Sequence, residues 1–380
     1  MDNFVFYNPT QVVFGKNTIQ KIGKLLTAHN IKKVLMVIGG GSIKKNGVYD
    51  EVVNSLKSNG IKFIEFPGVR PNPVLSHARE GIKLARENEV EAILAVGGGS
   101  VIDESKAIAA GFYMDDIWAA FENKFQIENA LPLFTVLTLS ATGSEMNPFA
   151  VLTNEEEKKK WAIYGPALFP IISIIDPSKQ MTLPWRQTVN GAVDALSHIM
   201  EYYFMGNNEE VTLSINEALM NTIIKVTDKL KNDPDDYDSR SELDWAATLA
   251  LNGLSGVALK GGDWATHGIE HAISALHPEV AHAEGLAIIF PAWIEYNKEL
   301  NPGIFKRWAK NVWNSDSVDS AIQKMKEKYS EWGAPISLSQ VGITENEIEE
   351  LANIALLGEG LGVLRELNKQ DVISILKIAL

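Results

Sequence analysis

Two rhythms divide this chain. Up to about residue 184, short continuous apolar runs alternate with glycine turns and helical stretches. Beyond it, apolar positions recur three and four apart, as on one face of a helix. The first apolar run, 33–38, ends in Gly39-Gly40-Gly41-Ser42. A helix over 49–58 stops at Asn59-Gly60, a strand covers 61–66, and a proline-rich turn through Asn72 leads into a helix over 74–87. The run 92–96 enters Gly97-Gly98-Gly99-Ser100 and then a helix over 101–110; the run 133–137 enters the polar turn 138–145. Such runs are continuous rather than alternating, which predicts strands covered on both faces, as in a parallel sheet. Before them, residues 1–30 predict an extended entry and a helix over 16–28; after them, 154–184 read as strands and turns. The later half predicts helices, with periodic stretches at 213–226, 243–254 and 348–357. The expected architecture is a doubly wound, Rossmann-like α/β domain over 1–184 and an all-α domain over 185–380.

Length and composition sharpen this. A chain of 380 residues is long for one core, and 46% apolar residues suit a globular protein. A formal net charge of −13 argues against nucleic acid as the partner. No cysteine is present, so disulfides, a thiolate nucleophile and sulfur ligation of a metal are excluded. The N-terminal stretch lacks a basic region followed by an apolar run, and no apolar run reaches membrane-spanning length. A cytoplasmic location without a membrane partner is therefore expected.

The candidate chemistry lies in the histidines. Four of the chain's 7 histidines, His267, His271, His277 and His282, fall in one segment. His267 and His271 stand one helical turn apart, and Asp194 and His198 repeat that spacing. Helix-borne histidines often only pack or cap. Two pairs with His282 nearby instead point to a mixed oxygen and nitrogen site for a divalent ion, iron or zinc.

The turn Gly97-Gly98-Gly99-Ser100 stands where a strand meets a helix, so its free N–H groups and the helix dipole suit a phosphate. It is not the G-x-G-x-x-G fingerprint. The first turn, Gly39 to Ser42, carries no carboxylate to bond a ribose 2′-hydroxyl, and Lys44 and Lys45 follow it. That favours NADP(H), with NAD(H) also usable.

Together these motifs resemble the iron-containing (group III) alcohol dehydrogenases, in the butanol dehydrogenase or broad aldehyde reductase branch. The resemblance rests on the segments 6–15, 71–73, 97–103, 141–145, Asp176-Pro177, 194–198 and 262–271 with His282, in the family's order. It implies metal ligands Asp194, His198, His267 and His282, with His271 a non-ligand beside nicotinamide and substrate. It places pyrophosphate on Gly97, Gly98, Gly99 and Ser100, and the adenosine ribose near Gly39, Gly40, Gly41 and Ser42. Asn72, Asp103, Thr138, Leu139, Thr142 and Lys160 line the remaining groove, and Asp103 joins His271 as a candidate catalytic group. His277 matches no ligand. Trp264, Phe149 and Asn147 are expected near the substrate. A homodimer is implied, with the stretch 4–7 as a candidate edge strand. The implied activity is NAD(P)H-linked interconversion of primary alcohols, such as butanol, with aldehydes. Alternatives are a polyol dehydrogenase such as glycerol dehydrogenase, a dehydroquinate synthase-like lyase, a metal-dependent hydrolase, or a nucleotide-binding protein without catalysis.

Overall fold

A computed structural model describes residues 3–358 and 360–380; Met1 and Asp2, part of the stretch read for a leader, lie outside it. Six strands form one parallel sheet: β1 (Gln11–Phe14), β2 (Lys33–Gly39), β3 (Lys62–Val69), β4 (Ala92–Gly98), β5 (Leu133–Leu139) and, after the antiparallel hairpin of β6 (Phe149–Asn154) and β7 (Lys159–Tyr164), β8 (Ile172–Ile175). Their spatial order is β1-β8-β5-β4-β2-β3. Helices α1 (Ile22–Ala28), α2 (Ser42–Lys45), α3 (Val48–Ser58), α4 (Leu75–Glu87), α5 (Gly99–Gly111) and α6 (Trp118–Asn123) fill the connections.

The continuous apolar runs are explained by two covered faces. On β2, Val34, Met36 and Ile38 join a core with Ile22, Leu26, Val52 and Leu56 of α1 and α3. Leu35 and Val37 point the other way, into a core with Ala78 and Ile82 of α4 and with α5. Alternate side chains leave opposite faces of a strand, so burial on both sides requires an apolar residue at every position.

From Trp185 onward the named elements are helical: α7 (Trp185–Tyr203), α8 (Glu210–Asn232), α9 (Tyr237–Ala250), α10 (Ala265–Leu276), α11 (His282–Asn297), α12 (Pro302–Asn311), α13 (Val318–Trp332), α14 (Ile348–Ala355) and α15 (Lys369–Ile378), with short 3-10 turns. They share one core around Tyr203, Phe290, Trp293, Trp308 and Trp332. Among the described residues, no helix is long and apolar enough to cross a membrane.

Two boundaries differ from expectation. The first helix begins as a 3-10 turn at Ile19 rather than at Lys16, because Asn17 takes a positive φ of 60°. Helix α9 stops at Ala250, short of Leu254, where Asn252 and Gly253 (φ 98°) turn the chain. The stretch 4–7 forms no strand within this chain; the sheet's own edges are β1, paired with β8, and β3, paired with β2.

Candidate metal and nucleotide site

Parallel strands deliver their C-terminal ends to one edge of a sheet, and the crevice there is widest where the winding reverses. That reversal lies between the neighbours β2 and β4, whose ends carry the two glycine turns. Helix α5 starts at Gly99, directly after β4, so its first N–H groups face the crevice. The turn is tight for a reason. A Cβ on Gly99 would stand 2.4 Å from Thr142 Oγ1, and one on Gly97 2.4 Å from Val101 Cγ2. Gly98 pairs with Leu139 across β4 and β5. The structure thus brings Gly97 to Ser100, Thr138, Leu139 and Thr142 together. By contrast, Gly40 and Gly41 have open space where a Cβ would be, and Gly41 takes a φ of 105°. Asn72, with φ 53°, follows β3, whose last residue Val69 is paired with Gly39.

Lys44 does not stand free beside the first turn. Its Nζ lies 2.6 Å from Glu65 Oε1, and Tyr49 donates to the other oxygen of that carboxylate at 2.6 Å. Asp103, on α5, is also engaged. Its Oδ1 accepts from Ser144 Oγ at 2.6 Å and its Oδ2 from Val151 N at 3.1 Å. Burial raises its pKa, against the pull of Lys106. Lys106, fully buried, donates to Ser144 Oγ, to Asn147 O and Oδ1, and to Phe149 O. Asp103 and Lys106, one turn apart, therefore grip the arch that leads into the β6–β7 hairpin. That engagement argues for holding the groove wall rather than for proton transfer by Asp103. Asn147 is buried in the same grip, and Phe149 is partly exposed.

The helical half supplies the other wall. Asp194 and His198 share one face of α7, while His267 belongs to α10 and His282 opens α11. One ligand atom each from Asp194, His267 and His282 fall within 4.8 Å of one another. Asp194 Oδ1 lies 3.7 Å from His198 Nε2 and 3.7 Å from His282 Nε2. The His198 and His267 rings stack at 5.0 Å. Asp194 Oδ1 and His267 Nε2 are both buried without a hydrogen-bond partner. Buried orphan lone pairs are costly. Two that converge from different helices fit a cation between them, and the donor set suits iron or zinc. Burial lowers the His198 pKa to about 3, so its imidazole is neutral and can donate a lone pair.

Three ties hold this geometry, and the acids involved have no motif of their own in the sequence. Glu201, one turn beyond His198 on α7, accepts from His267 Nδ1 at 2.7 Å and from Trp264 N at 2.6 Å, and also from Thr266 Oγ1. It caps α10 from outside, where Trp264 takes a φ of 60°. Glu270, on α10, accepts from His282 Nδ1 and from Ser274 Oγ. Arg186, in the first turn of α7, pairs bidentately with Glu284 in the first turn of α11, at 2.6 and 2.7 Å. The only sequence signal for Glu201 is its spacing of seven from Asp194, which places it on the same helix face.

Lys160, expected along the groove, belongs to β7. Its Nζ reaches across from β7 to Glu270 Oε2 at 3.2 Å and Ser274 Oγ at 3.0 Å. His271 is held well below the ordinary imidazole range, first by burial and then by Lys160. With Lys160, Trp161, Gly268 and Leu361 it lines a cleft of about 140 Å³. His277 turns away, toward Glu347 at 2.9 Å and Glu279 at 3.3 Å. Trp264 stands edge-on to His267 at 5.1 Å.

The chain is similar to known proteins over its whole length. Residues 9–177 match the family model "Iron-containing alcohol dehydrogenase", and residues 188–380 match "Fe-containing alcohol dehydrogenase family, C-terminal". The "Probable NADH-dependent butanol dehydrogenase 2" of Bacillus subtilis is 42% identical over 393 residues, with 100% of each chain covered. The "NADPH-dependent aldehyde reductase YqhD" of Escherichia coli is 36% identical over 362 residues, covering 92% of each. The crystal structure of NADH-dependent butanol dehydrogenase A from Thermotoga maritima superposes with a TM-score of 0.98 at 50% identity, covering 100% of this chain and 99% of that one.

Proposed function

The chain belongs to the iron-containing alcohol dehydrogenase family, and from that premise we propose how its residues do the family's work. The protein is an NAD(P)H-linked alcohol dehydrogenase and aldehyde reductase, interconverting alcohols and aldehydes. The finer reading is primary alcohols such as butanol. The observation that carries it is the convergence of Asp194, His267 and His282, with His198 Nε2 3.7 Å from Asp194 Oδ1.

In this reading Asp194, His198, His267 and His282 hold one divalent ion, iron or zinc. Gly97 to Ser100 receive the cofactor pyrophosphate on the amides of α5, with Thr138, Leu139 and Thr142 as the adjoining wall. Gly39 to Ser42 and Asn72 receive the adenosine end. When bound, the ion supplies Lewis acidity and the reduced nicotinamide supplies hydride. The chain's own task is to orient and to manage protons. His271, kept neutral, exchanges a proton at its imidazole between solvent and the substrate oxygen. The cleft beside it, walled by Trp161, Gly268 and Leu361, takes the alkyl chain and excludes water from it. Lys160 balances the charge of Glu270, and Asp103 with Lys106 keeps the groove wall in register.

A nicotinamide cofactor and a metal follow from the family. NADP(H) ahead of NAD(H) is our finer assignment, supported by Gly39 in place of an acid and opposed by the pairing of Lys44 with Glu65. Division of the chain at residue 184, a cytoplasmic location and a homodimer also belong to this proposal. The dimer draws support from Phe4, Phe6 and Tyr7, exposed at 51%, 49% and 71%. Absorbance of the reduced nicotinamide with butanal tests the activity. Oxidation that needs both butanal and the metal-loaded protein is the expected result, and none with any simple aldehyde would overturn it.

A further inference from the structure

We propose that Glu201 and Glu270 set the tautomer of two metal-ligand histidines, so that each presents a bare Nε2 to the ion. The inference rests on the ligand reading above and adds residues that reading does not include. A neutral imidazole carries its proton on either nitrogen, and only the other nitrogen can ligate. Glu201 Oε1 stands 2.7 Å from His267 Nδ1, and Glu270 Oε2 stands against His282 Nδ1. Both carboxylates are almost wholly buried. Each therefore takes the Nδ1 proton as a hydrogen bond and leaves Nε2 as a lone pair. His267 Nε2 is the buried atom without a partner, and His282 Nε2 is the atom that faces Asp194.

The two acids are themselves held. Trp264 N and Thr266 Oγ1 fix Glu201; Lys160 Nζ and Ser274 Oγ fix Glu270. Lys160 also lies 3.2 Å from His282 Nδ1, but both groups are donors, so its bond goes to Glu270. His198 differs: its Nδ1 is buried with no partner. Two of the three histidines thus carry an outer carboxylate that fixes ring orientation and raises basicity toward the ion.

The test measures cobalt(II) affinity of the full chain, by visible absorbance in competition with a chelator, for the parent, Glu201→Gln, Glu270→Gln and Glu104→Gln. Glu104 is a buried carboxylate bonded to His77, so it controls for loss of a buried charge elsewhere. Each of the first two variants, shown to be folded by a cooperative metal-free melt, should bind about 10- to 100-fold more weakly. Glu104→Gln should bind as the parent does. Folded Glu201→Gln and Glu270→Gln with unchanged affinity would overturn the inference and leave the ligand reading intact. A parent that binds no divalent ion would overturn the ligand reading first. Should Glu201→Gln not fold, Glu270→Gln decides by the same criterion.

Discussion

Asp194 Oδ1 and His282 Nε2, from two different helices, face each other at 3.7 Å. That is too long for a hydrogen bond. It is close to the separation of two ligands on one ion, since bonds of about 2.0–2.2 Å in a tetrahedral site put the donor atoms roughly 3.3–3.6 Å apart. The pair is thus spaced for a shared cation rather than for each other, and the protein's chemistry depends on that spacing.

His267→Ala should abolish metal retention and turnover together. The variant loses the one ligand whose Nε2 is a buried orphan and also leaves Glu201 without its imidazole donor. Metal content after desalting, measured beside the rate of butanal reduction, checks this. A variant that keeps both would remove His267 from the ligand set.

Cofactor choice should respond at the end of β2. Gly39→Asp puts a carboxylate where it can bond a ribose 2′-hydroxyl and repel a 2′-phosphate. Space is adequate: the nearest atom to a Cβ there is Val69 O at 3.5 Å. The ratio of kcat/KM for NADPH over NADH should fall by about tenfold or more, roughly 1.4 kcal/mol. An unchanged ratio would show that the first glycine turn does not meet the ribose.

Gly99→Ala should impair cofactor binding more than the chemical step. The new Cβ displaces Thr142, whose Oγ1 would lie 2.4 Å away and now accepts from Ser144 N at 3.1 Å. Overpacking of this kind costs about 1–3 kcal/mol. We expect a lower melting temperature and a raised KM for the nicotinamide cofactor with a smaller change in kcat, both from steady-state kinetics and a thermal melt. A KM equal to the parent's would contradict the phosphate role of this turn.

Stability should fall between about pH 5 and pH 7. Burial pushes the Glu104 pKa up to about 7, against the pull of His77. The Glu104 side chain is fully buried, with His77 Nδ1 2.5 Å from its Oε1. Below the unfolded value of 4.5 both states hold the proton. As pH rises, the unfolded chain releases it first, and the stabilisation is lost through the folded pKa, by roughly 3 kcal/mol at most. Melting temperature against pH should slope downward less in Glu104→Gln than in the parent; equal slopes would refute this.

The fold was largely legible because its strongest signals are local. A run such as Val34 to Ile38 can be apolar at every position only if both faces are covered, and a glycine turn after it marks a strand end. Asp194 with His198 on α7, and His267 with His271 on α10, could be paired for a similar reason: side chains one helical turn apart share a face. Glu201 and Glu270 could not be. Glu201 meets His267 across 66 residues, and an acid on a helix is most often a solvated one. The pairing of Lys160 with Glu270, across 110 residues, was equally hidden. Helix ends were the other blind spot. Leu251 and Leu254 continue the apolar period of α9, while Asn252 and Gly253 take the backbone out of it.

A crystal structure of the zinc- or iron-loaded protein, with the metal located by its anomalous scattering, tests the central claim most directly. One ion bonded at about 2.0–2.2 Å to Asp194, His198, His267 Nε2 and His282 Nε2 is the predicted result. An ion held elsewhere, or one from which any of these four side chains is turned away, would contradict it.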